Sequence, residues 1–507
     1  MLIGLAHHAQ TRPDHPALIL GDAVLTYAAL NGRVNRLAHA LRQAGVGVGD
    51  TVGAALHNGF TWFELLNAVG KLGAQLVPIG YRLKGPEIAY MLADSGAKVL
   101  LADASLRADV DRAAAEIDWP DARRWVIGDT APARGLSYEA VLAAESEHEP
   151  EGGFSGGGYN VLIYTSGTTG RPKGIERAFD AATNHLGLVG MAQMWGLGAA
   201  DVTLVAGPCY HTGPASYAQV HLLIGGTAVI LPHFDAAAAL AAIARHRVTN
   251  AFMVPTHFSR ILQLPDAERA RHDLSSIRLV MHSAAPCPPA VKRGIMQVFP
   301  PGTVTEFYGA SEGGFTRITA EEWLRKPGSV GTPWPGHSLR ILDEQGGELP
   351  SGEVGLIYVR GPRMDFRYRG ADDKTRAAFH DGYFTAGDLG YLDADGYLFI
   401  ADRRTDLIIS GGANIYPAEV EAALMTHPAV ADVAVIGIPD ADLGKSVLAV
   451  VELRAGAAAS GEELIAHTRR DLAHYKCPRR VELVAALPRE PQGKVRKHEL
   501  IVRYGRA

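Results

Sequence analysis

Apolar residues recur at helical spacing over residues 27–41, with Arg33, Arg36 and Arg42 left for the solvent side. The period then changes. Residues 52–56 and 75–79 are short apolar runs that predict strands, and residues 60–72 between them predict a helix. Residues 86–94 follow as a helix with Glu87 early, where the helix dipole favours a carboxylate, and 98–101 as a further strand. Strand–helix–strand order of this kind predicts a parallel sheet covered by helices.

Residues 145–158 are charged and then glycine-rich, which predicts a surface loop. Past it the alternation resumes. Strands are expected at 161–164, 201–205, 227–231, 250–254 and 277–281, with Asp235 capping an alanine-rich helix that runs to residue 246. From 328 to about 399 the strands shorten and turn signals multiply, at 343–347, 350–352 and 393–396. That section reads as β-rich and barrel-like. A polar break at 402–406 marks the expected domain boundary, dividing the chain into 1–404 and 405–507. The second part predicts a small α+β domain with helices at 417–425 and 460–472 and strands at 430–436, 447–451 and 481–484. The fold class expected is therefore α/β: a large N-terminal domain of two α/β sheet units plus a distorted β-barrel, then a small, mobile α+β domain.

Composition narrows the class. A chain of 507 residues exceeds one compact core, and 47 % hydrophobic with 20 % charged residues is ordinary for a soluble protein. A net charge of −5 argues against a nucleic-acid scaffold. No apolar run is long enough to span a bilayer, and the N-terminus lacks a signal-peptide pattern. Cys209, Cys287 and Cys477 are far apart and form no CxxC pair, so they read as reduced packing residues of a cytoplasmic protein, with no zinc site.

Candidate chemistry centres on Tyr164-Thr165-Ser166-Gly167-Thr168-Thr169-Gly170-Arg171-Pro172-Lys173-Gly174. A strand leads into it, glycines let the backbone approach a ligand, four hydroxyls supply donors and Lys173 supplies a charge. Such a loop suits a polyphosphate, although no Gly-Lys-Ser/Thr closes it as in a Walker A loop. Three later stretches would complement it. Tyr308-Gly309-Ala310-Ser311-Glu312 joins an aromatic ring for a purine, a hydroxyl for a phosphate and a carboxylate suited to Mg2+; taken alone it equally suits an ordinary turn. Asp388, in a small apolar setting, could accept from both ribose hydroxyls or be a turn aspartate. Lys494 follows a glycine and precedes a helical run, a place where a solvated lysine is also common.

Taken in order, the loop at 164–174, the 308–312 stretch, the segment around Asp388, the 403–419 run and the Gly493-Lys494 pair resemble the core motifs of the adenylate-forming enzymes. That superfamily holds acyl-CoA synthetases, peptide-synthetase adenylation domains and luciferases, and the resemblance covers nearly the whole chain. It implies that Thr165, Ser166, Gly167, Thr168, Thr169 and Lys173 hold the β- and γ-phosphates of ATP. It implies that Ser283, Ala284, Ala285 and Pro286 line the adenine, with Tyr308 and Gly309 against it. Ser311 would meet the α-phosphate, Glu312 and Thr168 the Mg2+, and Asp388 and Arg403 the ribose. Lys494 would bridge the substrate carboxylate and the α-phosphate. After rotation of the C-terminal domain, Gly411 and Gly412 would line a pantetheine tunnel for CoA. The pivot matches Thr405, where the family more often has Asp or Lys, and Ser311 stands where threonine is commoner.

Tyr210-His211-Thr212-Gly213 resembles the segment that gates the acyl pocket of acyl-CoA ligases, with His211 either catalytic or a hydrogen-bonded wall residue. Tyr416-Pro417-Ala418-Glu419-Val420-Glu421 is usual in the same branch. The resemblance implies an acid–thiol ligase that adenylates a fatty, aromatic or bulky steroid-like carboxylic acid and passes the acyl group to CoA. An adenylating enzyme that serves an amine or carrier protein, or that activates an oxyanion such as nitrite, is the alternative. A homodimer is one admissible assembly.

Overall fold

The computed structural model describes residues 4–152, 160–165, 172–177, 181–362, 364–403, 406–410, 413–440, 442–490 and 494–505, except for the side chains of 165, 181–185 and 403. It divides into two compact units. One comprises Met1–Phe252 with His272–Arg278 and Asp365–Asp372; the other comprises Met253–Arg271, Leu279–Met364 and Asp373–Ala507.

The first unit carries the expected α/β layers. Its five-stranded parallel sheet runs in the spatial order Gln75–Ile79, Thr51–Ala55, Val99–Asp103, Arg124–Ile127, Leu136–Ser137. A second sheet places Ala23–Thr26, Pro16–Leu20, Thr227–Ile230, Val202–Val205 and Asn250–Met253 side by side. Helix Tyr27–Gln43 buries one apolar face and helix Phe60–Leu72 is buried nearly all round; Leu30, Val34, Leu37, Leu41, Phe63 and Leu66 join a single core with strand residues such as Val52 and Val205. The arginines expected to face solvent do more. Arg33 bonds buried Glu64 at 2.6 Å, Arg36 donates to the Glu145 carbonyl at 2.5 Å, and Arg42 donates to the Glu151 carbonyl at 3.0 Å. They tie the helix to the following chain, so 145–151 is a fastened loop.

Two start signals behave as read. Asp235 accepts from Ala238 N at 2.8 Å at the head of Ala236–His246, and Glu87 accepts from Lys84 N at 2.8 Å at the head of Gly85–Ser95. The strand Arg124–Ile127 was not expected, because its first residue is charged. Arg124 is nevertheless buried, neutralised by Asp111 at 2.5 Å and by Asp121. A paired charge can occupy a core position that hydrophobic periodicity assigns to an apolar residue.

The second unit begins with parallel Leu279–His282 and Val304–Ala310, then continues antiparallel through Gly313–Ile318, Ser329–Pro333, Leu398–Arg403, Asp388–Leu392 and Gly355–Arg360. Among the described residues these strands form an open path, with no closed barrel. Val330, Ile341, Ile357 and Leu398 pack as its core. Phe366–Tyr368 leaves this section and pairs with Lys173–Arg177 in the first unit.

The C-terminal α+β part has longer strands than expected. Val430–Asp440 and Gly444–Leu453 form an antiparallel hairpin, and Arg480–Val484 joins in parallel. Alternate residues go to opposite faces. Val433, Val435, Val447, Ala449 and Val451 pack with Val420, Leu424 and Leu464; Ala434, Ile436, Leu448 and Val450 pack with Leu487 and Leu500. A sheet buried on both faces explains the nearly continuous apolar run from 430 to 438. Helices Pro417–Leu424 and Gly461–Thr468 supply Val420, Leu424 and Leu464, and Lys497–Tyr504 supplies Leu500. No helix among the described residues is long and apolar enough to cross a membrane.

Candidate functional site

In the first unit, Ile163–Thr165 pairs antiparallel with Lys173–Arg177, with Thr165 opposite Lys173 and Tyr164 opposite Gly174. The two ends of the phosphate stretch are thus adjacent. Their base is braced on three sides. Leu162 N donates to Leu76 O at 2.8 Å, Tyr164 Oη donates to Asp94 at 2.6 Å, and Tyr90 Oη donates to Pro172 O at 2.9 Å. Burial, then the hydrogen bond to Asp94, pushes the Tyr164 phenol well above its usual range, which keeps it a donor. Arg369 adds a bond to the Asp94 carbonyl at 2.8 Å and one to Glu176 at 2.5 Å. A Cβ at Gly174 would come within 3.1 Å of Leu162, so close packing against this strand favours glycine. Ser166, Gly167, Thr168 and Thr169, with the Thr165 side chain, lie outside the described residues.

The gate segment is in the same unit. His211 precedes helix Thr212–Ile224 as its N-cap residue, and the Tyr210 and His211 ring centroids are 4.2 Å apart. Gly213 permits that first turn to lie on Phe252, whose ring atom Cζ would be 2.6 Å from a Cβ.

The second unit assembles the expected nucleoside residues. Strands Leu279–His282 and Val304–Ala310 pair with His282 opposite Glu306. The chain leaves the first strand as Ser283, which is buried, and Ala284 has φ 75°. A left-handed alanine costs about 1–2 kcal/mol, and such strain clusters where a ligand is held. Ala285 and Pro286 follow before helix Pro289–Val298. On the neighbouring strand, Tyr308 Oη donates to Asp388 Oδ2 at 2.6 Å, and Asp388 is 5 % exposed. Asp388 is in turn paired in register with Arg403 across two antiparallel strands. The backbone therefore puts the two expected ribose residues side by side; the Arg403 side chain lies outside the described residues.

Ala310 pairs with Gly313, so Ser311 and Glu312 form the tip of a two-residue hairpin. The ordinary-turn reading is geometrically correct, but the Glu312 carboxylate is buried at 7 % exposure, unlike that of a solvated turn. Gly309 is required by its backbone neighbours: a Cβ there would sit 2.5 Å from Gly313 O and 2.9 Å from Gly314 Cα.

Lys494 lies next to a short antiparallel bridge. Glu490 N donates to Lys494 O at 2.7 Å, and Arg489 bridges Val495. Arg489 bonds Asp432 at 2.7 Å, and Lys497, one turn on, bonds Glu421 at 2.8 Å. Both ion pairs fix the platform that carries Lys494. Ser410 pairs with Ala413, whereas Gly411, Gly412 and the pivot Thr405 lie outside the described residues.

Sequence reasoning missed a buried charge cluster beneath the nucleoside segment. Lys292 Nζ donates to Glu306 Oε2 at 2.5 Å, with Trp323 facing the ammonium at 4.9 Å. His282 Nε2 is 3.6 Å from the same carboxylate oxygen. Burial holds the Glu306 carboxyl above the ordinary range, opposed by Lys292, and holds His282 far below its own. The available signal was a lysine at an apolar position of helix Pro289–Val298. Burial alone pushes the Cys209 thiol up and leads the upward shift at Cys287, which fits packing residues.

With this geometry established, comparison with known proteins is decisive. The family model for AMP-binding enzymes matches residues 5–368, and the model for the AMP-binding enzyme C-terminal domain matches 419–494. The chain belongs to the AMP-binding enzyme family. It is 36 % identical over 506 residues to a feruloyl-CoA synthase of Amycolatopsis sp, covering 98 % of this chain and 97 % of that one. It is 33 % identical over 507 residues to a fatty acid–[acyl-carrier-protein] ligase, ScoC, of Streptomyces coeruleorubidus, covering 98 % and 95 %. The structure of the amide bond synthetase McbA from Marinactinospora thermotolerans superposes with TM-score 0.84 at 28 % identity, covering 99 % of both chains. This AMP-binding enzyme is accordingly an adenylate-forming acid ligase.

Proposed function

We propose that this enzyme is an AMP-forming acid–CoA ligase. It would adenylate a carboxylic acid with release of pyrophosphate and then transfer the acyl group to the thiol of CoA. The observation that carries the reading is the Tyr308–Asp388 bond with Arg403 in register beside it, one strand from a hairpin tip that buries Glu312. An aromatic ring, a carboxylate acceptor and a buried acidic group in the same strand system support the reading of a nucleotide site.

The chemistry follows from charge. The attacking carboxylate and ATP are both anions, so the reaction needs cations that hold them in line. Lys173 and Lys494 are the protein groups that would do so, with Lys173 on the phosphates and Lys494 between the carboxylate and the α-phosphate. Ser283, Ala284, Ala285 and Pro286 would frame the adenine. Mg2+ suits the donor set. Among the described residues no cluster of three His, Cys, Asp or Glu side chains makes a protein cage. A single buried carboxylate, Glu312, is what Mg2+ needs when substrate phosphates complete its shell; Thr168 would add a hydroxyl. Bound there, the ion would offset charge on the phosphates.

The part 405–507, pivoting near Thr405, would bring Lys494 up for the first half-reaction and the Gly411-Gly412 segment for the second. His211 would border the acyl pocket. The acid would be fatty, aromatic or bulky and steroid-like; the fatty-acid and feruloyl relatives support the first two of these. The carrier-protein ligase and the amide bond synthetase support a second reading, in which an amine or carrier protein takes the acyl group. The discriminating experiment is ATP–pyrophosphate exchange with a panel of carboxylic acids and nitrite, followed by product analysis with CoA or an amine. An acyl-CoA product supports the first reading. Exchange with an acid but transfer only to the amine replaces it with the second.

A further inference from the structure

In chain order, the strands of the five-stranded sheet have the spatial sequence 2-1-3-4-5. Connections from the first strand, Thr51–Ala55, run to one side, and the chain returns on the other as Val99–Asp103. Parallel sheets of this order bind ligands outside the carboxyl ends of the two strands flanking that reversal. None of the nucleotide residues assigned above lies there. Two other polar residues do. His57 follows the first strand by two residues, and Asp103 ends the third, whose Ala102 is in register with Ala55.

They form a dyad. Asp103 Oδ2 lies 2.9 Å from His57 Nδ1 and accepts from the His57 backbone N–H at 2.5 Å. Adjacent Asn58 locks the turn to the second sheet, donating to Gly207 O and Leu231 O at 3.0 Å each and accepting from Cys209 N at 2.8 Å. A carboxylate only accepts, so the neutral His57 ring carries its hydrogen on Nδ1 and leaves a lone pair on Nε2. Nε2 has no hydrogen-bond partner among the described residues, while 42 % of the side chain is exposed. This edge is therefore rigidly held and open.

The dyad also continues into the gate. The Tyr81 ring stacks on His57 at 4.4 Å, meets Tyr210 edge-on at 5.3 Å, and Tyr210 adjoins His211. A half-buried aromatic path thus leads from the open imidazole edge to the segment assigned to the acyl pocket.

We propose that His57, oriented by Asp103 and backed by Tyr81, is a hydrogen-bond acceptor in a subsite for the acyl acceptor. This rests on the ligase reading above. The ligand is a small molecule ending in a thiol or amine and bearing an N–H donor for Nε2, with apolar or flat surface for Tyr81. The subsite acts after adenylation and takes no part in it.

The test uses the full chain with an acid active in pyrophosphate exchange. For wild type, His57→Phe and His57→Gln, three quantities are measured: exchange, saturation by CoA and by N-acetylethylenediamine, whose amide supplies an N–H donor, and capture of the adenylate by hydroxylamine, which is too small to span the path. His57→Phe should leave exchange and hydroxylamine capture within twofold. It should raise KM about tenfold for the acceptor that wild type uses, the effect of one lost hydrogen bond. His57→Gln, which keeps a carbonyl acceptor, should recover most of that loss. An acceptor KM within twofold of wild type, or exchange falling in step with transfer, overturns the subsite. A wild-type chain that shows no exchange with any acid overturns the ligase reading instead.

Discussion

Tyr308→Phe isolates one hydroxyl. The ring remains for the adenine, and the 2.6 Å bond to Asp388 is lost. Asp388 is 5 % exposed, so water restores that bond poorly. A hydrogen bond to a charged acceptor is worth about 1.5–3 kcal/mol, which corresponds to roughly ten- to a hundredfold in an equilibrium. The hydroxyl fixes the carboxylate rotamer that is assigned to the ribose. Its removal should raise the ATP KM in pyrophosphate exchange by about that factor. Preference for ATP over 2′-deoxy-ATP should shrink, because a carboxylate less firmly held in one rotamer discriminates the 2′-hydroxyl less well. Combined with Asp388→Asn, the two effects should be strongly non-additive. A Tyr308→Phe enzyme with wild-type ATP KM and undiminished ribose discrimination refutes the argument. So does simple additivity with Asp388→Asn.

Removing Lys292 as Lys292→Met strands Glu306 as an uncompensated buried carboxylate, a loss of about 3–5 kcal/mol in urea unfolding near neutral pH. Burial already raises the Glu306 carboxyl and Lys292 draws it back, so the variant raises it further. The folded state then keeps a proton that the unfolded chain releases in the ordinary carboxylate range. The penalty grows as pH rises above that range, making the variant closer to wild type at pH 5 than at pH 8; a pH-independent difference contradicts this. Lys494→Ala should nearly abolish pyrophosphate exchange yet spare CoA attack on preformed acyl-adenylate, measured as acyl-CoA release. Equal loss of both removes the role assigned to Lys494.

Local grammar carried much of this fold. The strand before Thr165, the cap at Asp235 and the helix after Lys494 were legible because each depends on neighbours in sequence. Register was not. Nothing local says that Asp388 faces Arg403, or that Tyr308 reaches Asp388, since both depend on strands brought together from far apart. Charged core residues misled the pattern for a different reason. Arg124 and Lys292 occupy apolar positions only because Asp111, Asp121 and Glu306 meet them there. Helix Thr212–Ile224 was missed because most of its surface is buried, which erases the amphipathic period. The dyad of His57 and Asp103 was invisible for the same reason as the register: only the strand order makes the two residues neighbours.

The central claim is that a carboxylate oxygen attacks the α-phosphorus of ATP. Its most direct test is a turnover with the active acid labelled with 18O in the carboxylate, followed by mass spectrometry of the nucleotide and phosphate products. Attack at the α-phosphorus leaves one labelled oxygen in AMP and none in pyrophosphate. Label in a phosphate product, or AMP formed without label, contradicts the account.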